Sequence, residues 1–257
     1  MMLQPYLILV SGFGIFGILN RRKKLNLKAK RVQRDFEREQ RKINASSKAE
    51  NVFRARISLE EKSRKIQESV AQIGVLMRKA ETHFAREEWK EAEKNLIQIL
   101  SLDEHNIKAN RLLGLTYLHK TEWHKAELIY NKLLELEPKE ASHYGNLGLA
   151  FYHQQKYPLA REAYLNALKL DDKKASRWIS LGQIYLKLKN YSEAKETFAQ
   201  AVKLERRNTD YLFALAEADE LSSDIEGAKK TYEKILFISP YNEEAKEKLG
   251  ELEKLNS

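Results

Sequence analysis

Five alanines, Ala92, Ala126, Ala160, Ala194 and Ala228, stand 34 residues apart, and this one interval governs most of the 257-residue chain. It also links Ala80, Gly114, Gly148, Gly182, Ala216 and Gly250, a column of small residues twelve positions upstream. Two columns are large and apolar: Leu96, Tyr130, Tyr164, Phe198 and Tyr232, then Leu102, Leu136, Leu170, Leu204 and Ile238. A fifth, Trp89, Trp123, Tyr157, Tyr191 and Ile225, is mostly aromatic. A repeat of this length is one supersecondary unit that cannot bury its apolar face alone and stacks on its neighbours.

Each unit reads as two amphipathic helices. In 107–140, Leu113, Gly114 and Tyr117 fall on the first, and Ala126, Tyr130 and Leu133 on the second. Glycine inside a helix costs roughly 0.5–1 kcal/mol relative to alanine, so a column of glycines implies close approach of two backbones, with the aromatics filling the space beside them. With only 10 Gly and 4 Pro in the chain, a loop-rich all-β fold is excluded.

RLLGLTYLHKTEWHKAELIYNKLLELEP (111–138), HYGNLGLAFYHQQKYPLAREAYLNALKLDD and RWISLGQIYLKLKNYSEAKETFAQAVKLERR closely resemble the tetratricopeptide repeat (TPR) family. Pro138 and Pro240 fall at the family's turn proline, which Glu104, Asp172 and Arg206 replace elsewhere; Pro158 opens a second helix, where its fixed φ helps. The resemblance implies an all-α, right-handed α-solenoid of five repeats, 73–106, 107–140, 141–174, 175–208 and 209–242, and a capping helix over 243–253. Lys79, His83 and Asp219 depart from their apolar or aromatic columns, as terminal repeats do where their outer faces meet water. Ser58-Leu59-Glu60-Glu61 fits a capping box, and Ile66, Val70, Ile73 and Met77 continue an apolar stripe, so the first helix is expected to begin near Leu59 and couple rigidly to the repeats.

Residues 1–20 contain no Lys, Arg, Asp or Glu, and nineteen of them in a helix reach roughly 28 Å, close to a hydrocarbon core. Arg21, Arg22, Lys23 and Lys24 follow directly. A cleaved signal peptide carries its positive charge before the apolar run, whereas here it comes after, so the run reads as an uncleaved transmembrane helix with a short outer amino end and the repeats in the cytoplasm. The expected location is a single-pass protein of the bacterial cytoplasmic membrane. Segment 21–70 holds 17 Lys and Arg against 7 Asp and Glu, while 71–257 holds 29 against 30, so the formal charge of +9 belongs to the juxtamembrane stalk, 21–72. Eight cations and no acid in 21–34 suit an anionic leaflet. Leu25, Ala29, Val32, Phe36 and Ile43 give a short coiled-coil-like pattern, and no aromatic platform accompanies the charge as nucleic-acid binding would require.

Catalysis has no candidate. The chain has no cysteine, no H-E-x-x-H, no phosphate-binding glycine loop and no nucleophile elbow, and no cofactor or metal is expected. His119 and His153, equivalent in neighbouring units, read as residues stacked on an inner face rather than as ligands. The TPR resemblance implies protein or peptide partners bound in a groove lined by the first helices: Lys108, Arg111, His119, Asn146, Tyr152, His153, Gln183 and Lys187, then Asp210, Phe213, Glu217 and Glu220. Lys108, Arg111 and Lys187 would favour a segment acidic near its centre. Of the set with which co-chaperones of this family clamp acidic chaperone tails only Asn146 is matched; Leu115, Ser176 and Ser180 replace the others, which disfavours that role.

The plan of anchor, basic stretch and repeats is similar to the lipopolysaccharide assembly protein B type, without its cysteine-rich metal-binding end. The leading expectation is a non-enzymatic, membrane-tethered adaptor. The alternatives are a regulatory subunit of a membrane enzyme or protease, a preprotein receptor on a membrane, and, with inverted topology, an extracytoplasmic assembly protein.

Overall fold

In the computed structural model, the described residues are 24, 27–41 and 49–254, with side chains from 56 onward in the last stretch. All their regular structure is helical. The chain divides into two units, 1–74 and 75–257. The apolar run, with Arg21, Arg22 and Lys23, lies outside the described residues; Lys24 is exposed. No described helix is long and apolar enough to cross a membrane.

The first unit contains a helix over 27–41 (α1), exposed on nearly every side, with Leu27 and Val32 open to solvent and Phe36 half-buried. Helix α2 spans Ala49–Ala85, so it begins nine residues before the capping box at Ser58. Ala49, Glu50, Arg54 and Ala55 are strong helix formers, and nothing stops the helix at Ser58. Ile66 and Val70 of the expected apolar stripe are exposed, while Ile73 and Met77 are half-buried.

In the second unit the helices alternate. First helices are α4 (Ile107–His119), α6 (Ala141–His153), α8 (Ala175–Lys187), α10 (Thr209–Leu221) and α12 (Glu243–Lys254). Second helices are α3 (Trp89–Leu102), α5 (Trp123–Leu136), α7 (Tyr157–Leu170), α9 (Tyr191–Leu204) and α11 (Ile225–Ile238). From α3 to α12 consecutive helices pack on each other, which makes a solenoid. The alanine column at 92, 126, 160, 194 and 228 is fully buried. A Cβ on Gly114, Gly148 or Gly182 would lie 2.9, 2.7 or 2.3 Å from the ring of Tyr130, Tyr164 or Phe198, so each glycine seats the ring of the second helix in its own unit. The column at 102, 136, 170, 204 and 238 differs from the rest, because it falls at helix ends and leaves Leu102, Leu170 and Leu204 about two-fifths exposed.

Two local devices recur at the same period. At the turn inside each unit Glu87, Thr121, Gln155, Lys189 and Ser223 have φ of 56–65°. The following N–H reaches back to the helix, as from Glu122 to the Tyr117 carbonyl at 2.9 Å, which closes the helix in a Schellman turn without glycine. Between units, Asn106, Asn208 and Asn242 accept from backbone N–H groups and cap the next helix.

Candidate protein-binding face

First helices of successive units touch each other, α6 with α8 and α8 with α10, while the second helices show no comparable mutual contact among the described residues. These first helices therefore lie on the inner side of the curve, and the half-exposed residues of α6, α8 and α10 form one face.

At its amino end this face is neutralised from within. The Lys108 ammonium is paired with Glu81 of α2. Arg111 Nη2 lies 2.7 Å from Glu137 Oε2 and 3.8 Å from Glu140 Oε2. Two of the three expected cations are thus paired with carboxylates of the same chain, while Lys187 is exposed and has no ion-pair partner among the described residues. Glu137 Oε2 also lies 3.0 Å from Nε2 of His143, a fully buried side chain. Burial pushes the His143 imidazole below its ordinary pKa, although Glu137 opposes this. One period on, Asp171 and Arg177 repeat the arrangement at 2.6 Å.

His119 and His153 do not meet each other. The His119 ring stacks on Trp89 with centroids 4.5 Å apart and planes 6° from parallel, and His153 stacks on Trp123 at 4.0 Å and 9°. Each histidine closes a first helix against the start of the preceding second helix, which accounts for the two tryptophans of the aromatic column. Tyr152 stands edge-on to His153 and Tyr157.

The middle of the face is built differently. Asn146 Nδ2 donates to the hydroxyl of Tyr130 at 3.0 Å. Tyr130 is wholly buried, and burial holds its hydroxyl far above the ordinary phenol pKa, so it stays protonated and fixed. The bond orients the half-buried Asn146 and leaves its carbonyl oxygen free for another donor. Gln183 and Lys187 are exposed on the next first helix. At the far end Asp210 and Glu217 are exposed, Phe213 packs edge-on to Tyr232 at 6.0 Å, and Glu220 accepts from the Tyr232 hydroxyl at 2.6 Å.

The sequence reading missed the internal partners Glu81 and Glu137 and the Tyr130–Asn146 bond. The shared period of Glu137 with Asp171, and of His143 with Arg177, is a signal that could have revealed one of them. Among the described residues no group of three metal-ligating side chains converges.

Comparison with known proteins agrees with this architecture. Sequence models described as "Tetratricopeptide repeat" and "TPR repeat" match residues 175–208 and 148–189. No curated protein sequence matches the chain. Among solved structures, MamA is similar at a TM-score of 0.63 and 19% identity, over 67% of this chain and 94% of that one. YrrB, described as a TPR protein with an unusual peptide-binding site, gives 0.57 and 19%, over 65% and 86%. Pseudomonas aeruginosa pilF gives 0.59 and 20%, over 73% and 86%. At these identities the likeness shows the fold alone, and with the matched repeats it makes the solenoid a tetratricopeptide-repeat fold.

Proposed function

We propose that this chain is a non-enzymatic, membrane-tethered scaffold that holds a segment of a partner protein along the face formed by its first helices. The carrying observation is Asn146, fixed by the buried Tyr130 hydroxyl and with no hydrogen bond to its carbonyl oxygen among the described residues, on the face formed by the first helices. That arrangement suits a polypeptide read through its main chain, with Gln183 and Lys187 as further polar contacts. TPR domains bind protein or peptide partners, and a relative of this fold, YrrB, is described by its peptide-binding site. Because Lys108 and Arg111 are already paired, acidic character in the ligand contributes only near Lys187. The tether rests on the apolar run 1–20 and the cations Arg21, Arg22, Lys23 and Lys24 after it, which orient the solenoid toward the cytoplasm of a bacterial inner membrane.

The test is affinity capture of the full chain from gently solubilised membranes, beside Asn146→Ala with Gln183→Ala. A partner lost from the variant while helicity is retained supports the reading; a partner retained by both refutes the inner face as its site. Labelling of Gln200→Cys by a membrane-impermeant thiol reagent in intact cells would overturn the cytoplasmic orientation.

A further inference from the structure

The turns between units carry a second surface. One column through the ends of the second helices reads Ser101, Glu135, Lys169, Lys203, Phe237, and one through the turns that follow reads His105, Lys139, Lys173, Arg207, Tyr241. From the third unit onward both columns become cationic and then aromatic. Lys169, Lys173, Lys203 and Arg207 are all exposed, and none makes an ion pair among the described residues, in contrast to Lys108, Lys120, Lys156 and Lys195, which all do. Phe237 and Tyr241 are 87% and 89% exposed, at positions where earlier units place polar or charged side chains. Leu170 and Leu204, about two-fifths exposed, lie next in sequence to two of the cations. In 169–174 and 203–207 six cations face three carboxylates, of which Asp171 is taken by Arg177.

We propose that this edge of the solenoid, from the third to the fifth unit, lies on an anionic lipid surface, with Phe237 and Tyr241 at headgroup level and the four cations against lipid phosphates. An exposed phenyl ring forfeits the free energy of leaving water, and a bilayer interface supplies both the apolar layer and the negative potential. The columns change character together over neighbouring turns, as one extended surface requires. A base-stacking role fits less well, because Lys246 Nζ lies over the Tyr241 ring, 5.7 Å from its centroid, and occupies one of its faces. This contact is separate from the amino-terminal tether: it concerns how the repeats meet the bilayer once they are near it.

The native chain has no cysteine, so a single environment-sensitive fluorophore can be placed at Tyr241→Cys, with Leu128→Cys, also exposed, as the control site. The full chain is mixed with vesicles of phosphatidylglycerol and phosphatidylcholine, or of phosphatidylcholine alone, containing a spin-labelled lipid quencher. Neutral vesicles report whatever the amino-terminal run contributes by itself. The expected result is quenching at 241 and not at 128, only in anionic vesicles, and lost in molar salt. Removing two cations alone weakens the lipid partition of the labelled edge roughly thirtyfold. Lys173→Glu with Arg207→Glu also adds two repelling carboxylates and should weaken it by at least that much, with the fold of this surface variant checked by circular dichroism. Equal quenching in both lipids, none in either, or quenching indifferent to the charge reversal would overturn the proposal. A fluorophore shift on adding single-stranded RNA, without lipid quenching, would overturn it in favour of nucleic acid.

Discussion

The fourth and fifth units have the same backbone and different interiors. Each has a first helix of 13 residues and a second of 14, with the same positive-φ turn between them, at Lys189 and Ser223. In the fourth, Gly182 seats the Phe198 ring, which packs in one cluster with Ala194 and Ala218, all fully buried. In the fifth, Ala216 replaces the glycine, and Asp219, 3% exposed, stands where the fourth has Tyr185. Its Oδ2 accepts from Thr231 Oγ1 at 3.3 Å, and its Oδ1 lies 3.1 Å from Lys195 Nζ without accepting a hydrogen bond. Lys195 is held charged mainly by Asp224, so the buried Asp219 is the under-served partner, and burial pushes its carboxyl up. Helix spacing is thus set by small residues and rings, while the polarity of a layer varies wherever hydrogen-bonding partners are supplied.

The largest expected effect strikes the ring. Phe198→Ala should cost about 3–5 kcal/mol in chemical denaturation, and a loss under 1 kcal/mol would detach the spacing from the ring. Gly182→Ala should cost about 1–3 kcal/mol through overpacking, and adding Phe198→Leu should recover part of it, since the first unit already pairs Ala80 with Leu96, both fully buried. In the fifth unit Asp219→Asn should stabilise the fold at neutral pH, because burial disfavours the charged carboxylate. A raised folded pKa means that the cost of charging Asp219 is absent below the ordinary value of 3.8 and fully present above the raised one. The gain over wild type should therefore vanish on acidification; a gain constant with pH would point to packing instead. Smallest are Lys189→Gly and Ser223→Gly, each expected to stabilise by about 0.5–1 kcal/mol by relieving the left-handed conformation. Unequal gains would show that the two turns differ after all.

The columns made the helices legible, because a period of 34 records which residues must be small or large at every turn of a solenoid. The Gly–ring contact followed from glycine's cost in a helix. What stayed hidden depended on pairing in space. Nothing local marks Lys108 as spent on Glu81, 27 residues earlier, or Arg111 on Glu137. The start of α2 was misjudged because a capping-box pattern also occurs inside helices when the residues before it favour helix. The turns were missed because glycine, the usual marker of positive φ, is absent from all five.

The most direct test of a partner bound along the first helices is site-specific photocrosslinking in intact cells. A photoreactive residue replaces Gln183 on α8 or, in a parallel strain, Gln200 on α9; both positions are exposed. A partner crosslinked from position 183 and not from 200 is the expected result. Crosslinking from 200 with none from 183 would contradict it and move binding to the second helices.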